Sequence, residues 1–406
     1  MLAGGRTLDS PNPPATTAAL LEALQLLLPR QDSRRLLAAM LLEGDQQAEA
    51  LRNVAADPDH GLRAGTRSAG AKGLRPLLHH AVATRGWPCD PAVLTVLRTA
   101  RAREQARMAT VARVAQPALQ ALQDAGVEFA LLNGIALAWT VYPEAALRHC
   151  HDIDLLMRPE ALPAAIAAVE RAGFVECAPD ESRPVAAVRR VHASGLPLEL
   201  HVTLFPERYY SLPGTEVMAR ARAHTIWGRT VRTLTPDDQL LHVLGLAACT
   251  PQREGLRWVC DAHALIRSGQ AMDWDQFVSY AVRARLTVPI SILVTFLADA
   301  MRLPVPLATL DVLREHATAA SPLARDIALA GARAGQDDNF ALVRGIRSGW
   351  VARALTLRWL VWPSQAYLLH TAQTGHGTRA LRYGVRLVRR LLQGPSRILS
   401  GQGVAP

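Results

Sequence analysis

Asp152-Ile153-Asp154 is the stretch of this sequence whose residue types and spacing are best suited to chemistry. It opens an alternation of acidic and apolar residues over 152–157 (DIDLLM), which predicts a β-strand. Residues two apart on a strand share a face, so both carboxylates project to one side while Ile153 and Leu155 turn to the other. Like charges that close repel, and one acid keeps its proton unless a cation intervenes. A divalent ion with oxygen ligands, Mg2+ or Mn2+, makes such a pair favourable. The alternative is an acidic pair on a solvated strand face.

Three neighbouring features fit the first reading. Gly134 follows the short apolar stretch 127–132 and opens a helix, which presents backbone N–H groups to an anion. Arg148 stands four residues before Asp152, in reach of a phosphate that it would hold with two parallel hydrogen bonds. Leu198-Glu199-Leu200-His201-Val202 reads as a strand with a lone acid between apolar residues. Glu199 then faces either solvent or the site. His201 shares its face, either to orient it or meet substrate, or as a satisfied core histidine. Asp261, one turn after Trp258, reads as a structural hydrogen-bonding partner for the preceding domain.

These residues need a frame, and the chain supplies one in five parts. Residues 1–16 read as a disordered leader. Residues 17–125 are an N-terminal helical region, broken by a Gly/Ala/Arg-rich loop at 57–73. Its long helical pattern at 91–123 carries Arg98, Arg101, Arg103, Arg107 and Arg113, either a solvated face or an electropositive rim for a phosphate-bearing ligand. Residues 126–215 alternate strand and helix in the order β-α-β-α-β-β, the core that holds the candidate site. Residues 216–366 return to helical texture, with Thr235-Pro236-Asp237-Asp238 as a helix start. Residues 367–406 form a basic amphipathic tail. The expected fold class is α+β: a small mixed sheet flanked by N- and C-terminal helical regions.

Composition bounds the chemistry. Of 406 residues, half are hydrophobic but only 5% aromatic, so the core must be built from Ala, Leu and Val, which favours helices. The formal charge is +10, carried by arginine; Lys72 is the only lysine, so a lysine nucleophile must be Lys72 or absent. Five scattered cysteines without a C-x-x-C pair argue against a disulfide framework or a Cys-rich zinc site. No apolar run of 18 residues implies a membrane span, and the polar, Pro-rich start does not resemble a secretory signal. The expected location is the cytoplasm, and the Arg-over-Lys bias suggests a bacterium with a GC-rich genome.

The motif set resembles the nucleotidyltransferase superfamily with the DNA-polymerase-β-like fold, and within it a family of uncharacterised bacterial nucleotidyltransferases. The resemblance rests on Leu131-Leu132-Asn133-Gly134-Ile135-Ala136-Leu137-Ala138, Tyr142-Pro143, Arg148, 152–157, Gly173-Phe174 and Glu199-Leu200-His201. Leu256-Arg257-Trp258 with Asp261 also looks like the family's downstream helices. The resemblance implies metal-dependent transfer of an NMP from an NTP to an acceptor hydroxyl, with release of pyrophosphate. It implies that Asp152 and Asp154 hold Mg2+ or Mn2+, that Glu199 completes the metal site and takes the acceptor's proton, and that Asn133, Gly134 and Arg148 bind the triphosphate. Family members often have Lys where this chain has Asn133, and the superfamily's usual Ser is Ile135. The acceptor is a protein side chain, a peptide, an RNA end or a small molecule. The alternative is a catalytically degenerate module of the same fold, with a binding, regulatory or antitoxin-like role and a protein partner.

Overall fold

The structure, a computed structural model, describes residues 20, 22, 24–56, 73–176, 187–205, 210, 212–249 and 255–334. The proposed leader, most of the 57–73 loop, Lys72, Cys177 and the C-terminal tail lie outside these residues.

The N-terminal region is helical: α1 (Gln31–Leu41), α2 (Gly44–Ala56), α3 (Arg75–Arg85) and the 34-residue α4 (Pro91–Asp124). The start of α4 is fixed by Asp90, whose side chain accepts from the Ala92 N–H, and by Pro91 at a position where no N–H is needed. One stripe of α4, including Val111, Ala115, Ala118, Leu119 and Leu122, is buried, while Arg98, Arg103, Arg107 and Arg113 point outward.

Next come β1 (Phe129–Leu131), α5 (Asn133–Thr140), β2 (Ile153–Met157), α6 (Leu162–Arg171), β3 (Phe174–Glu176), β4 (Ala187–His192) and β5 (Pro197–His201). These are the elements expected for the core, most of them trimmed at their ends. After α7 (Gly214–Arg220), two strands follow that sequence texture assigned to a helical region: β6 (Arg222–Ile226) and β7 (Arg229–Thr233). They form a hairpin whose two turn residues, Trp227 and Gly228, both have positive φ. β6 ends the sheet, and of the two strands only Ile226, Val231 and Thr233 are buried. Helices α8 (Pro236–Cys249), α9 (Arg257–Arg267), α10 (Trp274–Arg283), α11 (Thr287–Asp299), α12 (Leu307–Thr318) and α13 (Pro322–Ala334) complete the described chain.

All seven strands make one mixed sheet in the order β3-β4-β5-β2-β1-β7-β6. Strand β2 runs antiparallel to β1 and parallel to β5, β1 runs parallel to β7, and β3, β4 and β5 form an antiparallel meander. One face of the sheet, with Ile153, Leu155, Val188, Leu198 and Leu200, packs on α4 and α6. On the other face, Ala130 and Leu156 join the core of the C-terminal helices through Val217, Met218, Leu241 and Leu244. The sheet is thus sandwiched by the two helical regions, and Asp154 lies on the same face as Leu156. Among the described residues no helix is long and apolar enough to cross a membrane.

Candidate active site

Asp154 and Glu199 meet because β2 and β5 pair in parallel with Asp154 directly opposite Glu199. His201, two residues on, shares the face of Glu199. One ligand atom from each of Asp154, Glu199 and His201 lies within 4.8 Å of the other two. The His201 Nε2 is 3.1 Å from Asp154 Oδ1 and 3.8 Å from Glu199 Oε2. Asn133 reaches the same carboxylate from the end of β1, its Nδ2 being 3.5 Å from Asp154 Oδ2. Asn133 takes a left-handed backbone, φ 44°, a conformation that asparagine tolerates better than most residues.

Asp152 sits just ahead of β2, with its Oδ2 3.1 Å from His151 Nε2. It is outside the three-residue donor cluster. Its charge is nevertheless felt there. Burial, and then the Asp152 charge, push the Asp154 carboxyl up to about 6. Burial opposes the charged form of His201, but the hydrogen bond to Asp154 and the charges of Asp154, Glu199 and Asp152 outweigh it and raise its pKa. The cluster therefore gathers protons to balance its own negative charge. Two carboxylates, an imidazole and an unmet demand for positive charge form a donor set that fits a divalent cation.

Arg148, expected to bind phosphate, packs against the Gly134 turn and is engaged within the protein. Its guanidinium makes a two-point ion pair with Asp261 on α9, Nη2 to Oδ2 at 2.8 Å and Nε to Oδ1 at 3.2 Å. The Tyr142 hydroxyl donates to the same Asp261 Oδ1 at 2.7 Å. Arg148 and Asp261 are both almost wholly buried, 7% and 2% exposed. Burial works against the Arg148 charge, but Asp261 more than compensates and keeps the guanidinium protonated. This arginine also explains the glycine: a Cβ on Gly134 would come within 2.6 Å of Arg148 Nη1 and 3.0 Å of Cys150 Sγ. Gly134 is thus required by the arginine packed behind the turn, whatever binds in front.

The loop before Asp152 is pinned from a second side. Buried Glu104 of α4 contacts His149 Nδ1 at 2.8 Å and accepts from the Cys150 N–H at 3.3 Å. Sequence reasoning passed over Glu104, hidden among exposed arginines, and Arg189 of β4. Arg189 is directly opposite Glu199 in the β4–β5 register, its Nη1 3.8 Å from Glu199 Oε1.

The family described as uncharacterised nucleotidyltransferase matches residues 62–302, more than half of the chain and all of the elements that build this cluster. The chain belongs to that family. Comparison with curated proteins gives no match. Among solved structures, the chain is similar to an antigenic nucleotidyltransferase-like protein from Paracoccidioides brasiliensis, at 15% identity and a TM-score of 0.34, over 48% of this chain and 95% of that one.

Two predictions follow from the geometry of this nucleotidyltransferase family member. Asp261→Ala strands a buried guanidinium and should cost on the order of 3–5 kcal/mol in denaturant unfolding, while Tyr142→Phe, losing one hydrogen bond, should cost about 1 kcal/mol. Similar losses for the two would contradict the buried ion pair. The second prediction concerns pH. The raised Asp154 pKa means that ionising this acid opposes folding: the cost is absent below about pH 4, grows towards pH 6 and is complete above it. Asp154→Asn should therefore stabilise the protein in EDTA at pH 7.5, by on the order of 2 kcal/mol, and by almost nothing at pH 4. A gap independent of pH, or a less stable mutant at pH 7.5, would contradict it.

Proposed function

We propose that this protein transfers an NMP from an NTP to an acceptor hydroxyl, releasing pyrophosphate, with Asp154, Glu199 and His201 as the divalent-ion site. The observation that carries the reading is the register of β2 against β5, which sets the two carboxylates and the imidazole together beside the turn that starts α5. An ion held there would supply charge neutralisation and polarise the phosphoryl group under attack. The imidazole, a softer donor than a carboxylate, favours Mn2+ over Mg2+.

The chain's own groups take the remaining roles. The N–H groups at the start of α5 and the Asn133 amide bind phosphate oxygens. Glu199, on the far side of Asp154 from that turn, accepts the acceptor hydroxyl's proton as its oxygen bonds to the α-phosphorus and the bond to the bridging oxygen of pyrophosphate breaks. Asp152 adds negative charge that strengthens cation binding. Arg148 acts from behind, holding the Gly134 turn against α9.

A second reading, a degenerate binding module of the same fold, is favoured by one observation. The turn offers an incoming triphosphate the neutral Asn133 and Ile135, while Arg148 is occupied by Asp261. Incubation with Mn2+ and α-labelled NTP separates the two, reading released pyrophosphate and label retained on acceptor or protein. Nucleotidyl transfer predicts activity that Asp154→Asn and Glu199→Gln each lower by roughly a hundred- to a thousandfold. Nucleotide binding without pyrophosphate release in the wild type would favour the module.

A further inference from the structure

The arginines of α4 take no part in the site described above. Between Pro91 and Gln123 the only acid is Glu104, and it is buried and turned inward to His149 and Cys150. The outward face therefore carries charge of one sign: Arg98, Arg103, Arg107 and Arg113 are all exposed. A solvated helix face normally interleaves acids and bases, and Arg103 and Arg107, four residues apart, repel one another. Among the described residues neither Arg98 nor Arg113 forms an ion pair.

At about 100° per residue, Arg98, Ala109, Ala112, Arg113 and Gln116 fall on one face of this helix, with roughly 22 Å along its axis between the two arginines. The start of β7 lies beside it. Arg229 joins Ala109, Ala112, Arg113 and Gln116 in lining an open groove of about 590 Å3. The Arg229 Nη1 donates to Gln120 Oε1, so a neutral amide fixes this guanidinium. Among the described residues no acid pairs with it. The alanines let a ligand approach the helix closely, and the two guanidinium forks and the Gln116 amide are donors that match phosphate oxygens. The lining has no aromatic or large aliphatic side chain, the anchors on which protein partners and membrane surfaces depend.

We propose that the outer face of α4, from Arg98 to the groove between Arg113 and Arg229, binds the phosphate backbone of a nucleic-acid strand. This surface is separate from the acid cluster: α4 packs on the sheet face of Ile153 and Leu155, whereas Asp154 lies on the other. The inference stands independently of the nucleotidyl-transfer reading. Backbone contacts of this kind carry no sequence information, so binding tolerates any base and is strongly weakened by salt.

The test is fluorescence anisotropy with the full chain and a labelled uridine strand of about 20 nucleotides, from about 50 to 200 mM KCl. Three phosphate contacts give log affinity against log salt a slope of about −2, roughly a twentyfold loss over that range. Arg98→Gln, Arg113→Gln and Arg229→Gln should each weaken binding and bring the slope nearer zero by about 0.7. Ala112→Glu, which keeps every arginine and puts an acid into the groove, should weaken binding about tenfold or more. Arg314→Gln, at an exposed arginine of α12, should leave affinity and slope unchanged. Thermal denaturation reports that each variant is folded. No binding by the wild type at the lowest salt would overturn the proposal. So would a slope unaltered in the folded arginine variants. Poly-glutamate bound as tightly as the uridine strand would overturn it in favour of an acidic protein partner.

Discussion

Parallel pairing of β2 with β5 sets Asp154 against Glu199, and much of the surrounding structure answers the cost of that contact. Two carboxylates largely removed from water repel, and a third, Asp152, adds to the charge. His201 answers first, since the acids around it outweigh its burial and raise its pKa from the ordinary imidazole value. Asn133 and Arg189 approach from opposite sides. The arrangement is uncomfortable without a cation and comfortable with one, the condition expected of a site whose purpose is to bind charge rather than to hold the fold together.

The chain supports this cluster by fixing the segments on either side of it. Asp261 in the C-terminal helices grips Arg148, and Arg148 lies against the turn that carries Asn133. Glu104 in the N-terminal helices grips His149 and Cys150, just before Asp152. Both helical regions therefore contact the short loop between α5 and β2. A site of charged side chains needs such rigid backing, because small displacements of its carboxylates change both repulsion and ligand geometry.

What was legible in the sequence follows from the range of the forces involved. The alternation of 152–157 and of 198–202, and glycines such as Gly126 and Gly173 that take positive φ where helices end, are local signals, and the core elements emerged from them. Glu199 could be paired with Asp154 because a lone acid among apolar strand residues has few explanations. The partner of Arg148 was not legible: Asp261 is 113 residues away, and nothing local separates a buried ion pair from a phosphate contact. Arg189 and Arg190 are adjacent, and a strand sends one to each face; only the sheet shows that Arg190 is buried against Glu170 while Arg189 faces the acids. Strands β6 and β7 were missed because only Ile226 of the first and Val231 and Thr233 of the second are buried, too few to leave an apolar pattern.

The central claim is that Asp154, Glu199 and His201 hold one divalent ion. Pulsed electron paramagnetic resonance on the protein titrated with Mn2+ tests it most directly, since a directly bound imidazole nitrogen modulates the electron-spin echo. The account predicts modulation from a single imidazole, lost in His201→Asn, with Mn2+ affinity falling sharply in Asp154→Asn. Bound Mn2+ without nitrogen modulation, or with modulation that survives His201→Asn, would contradict it.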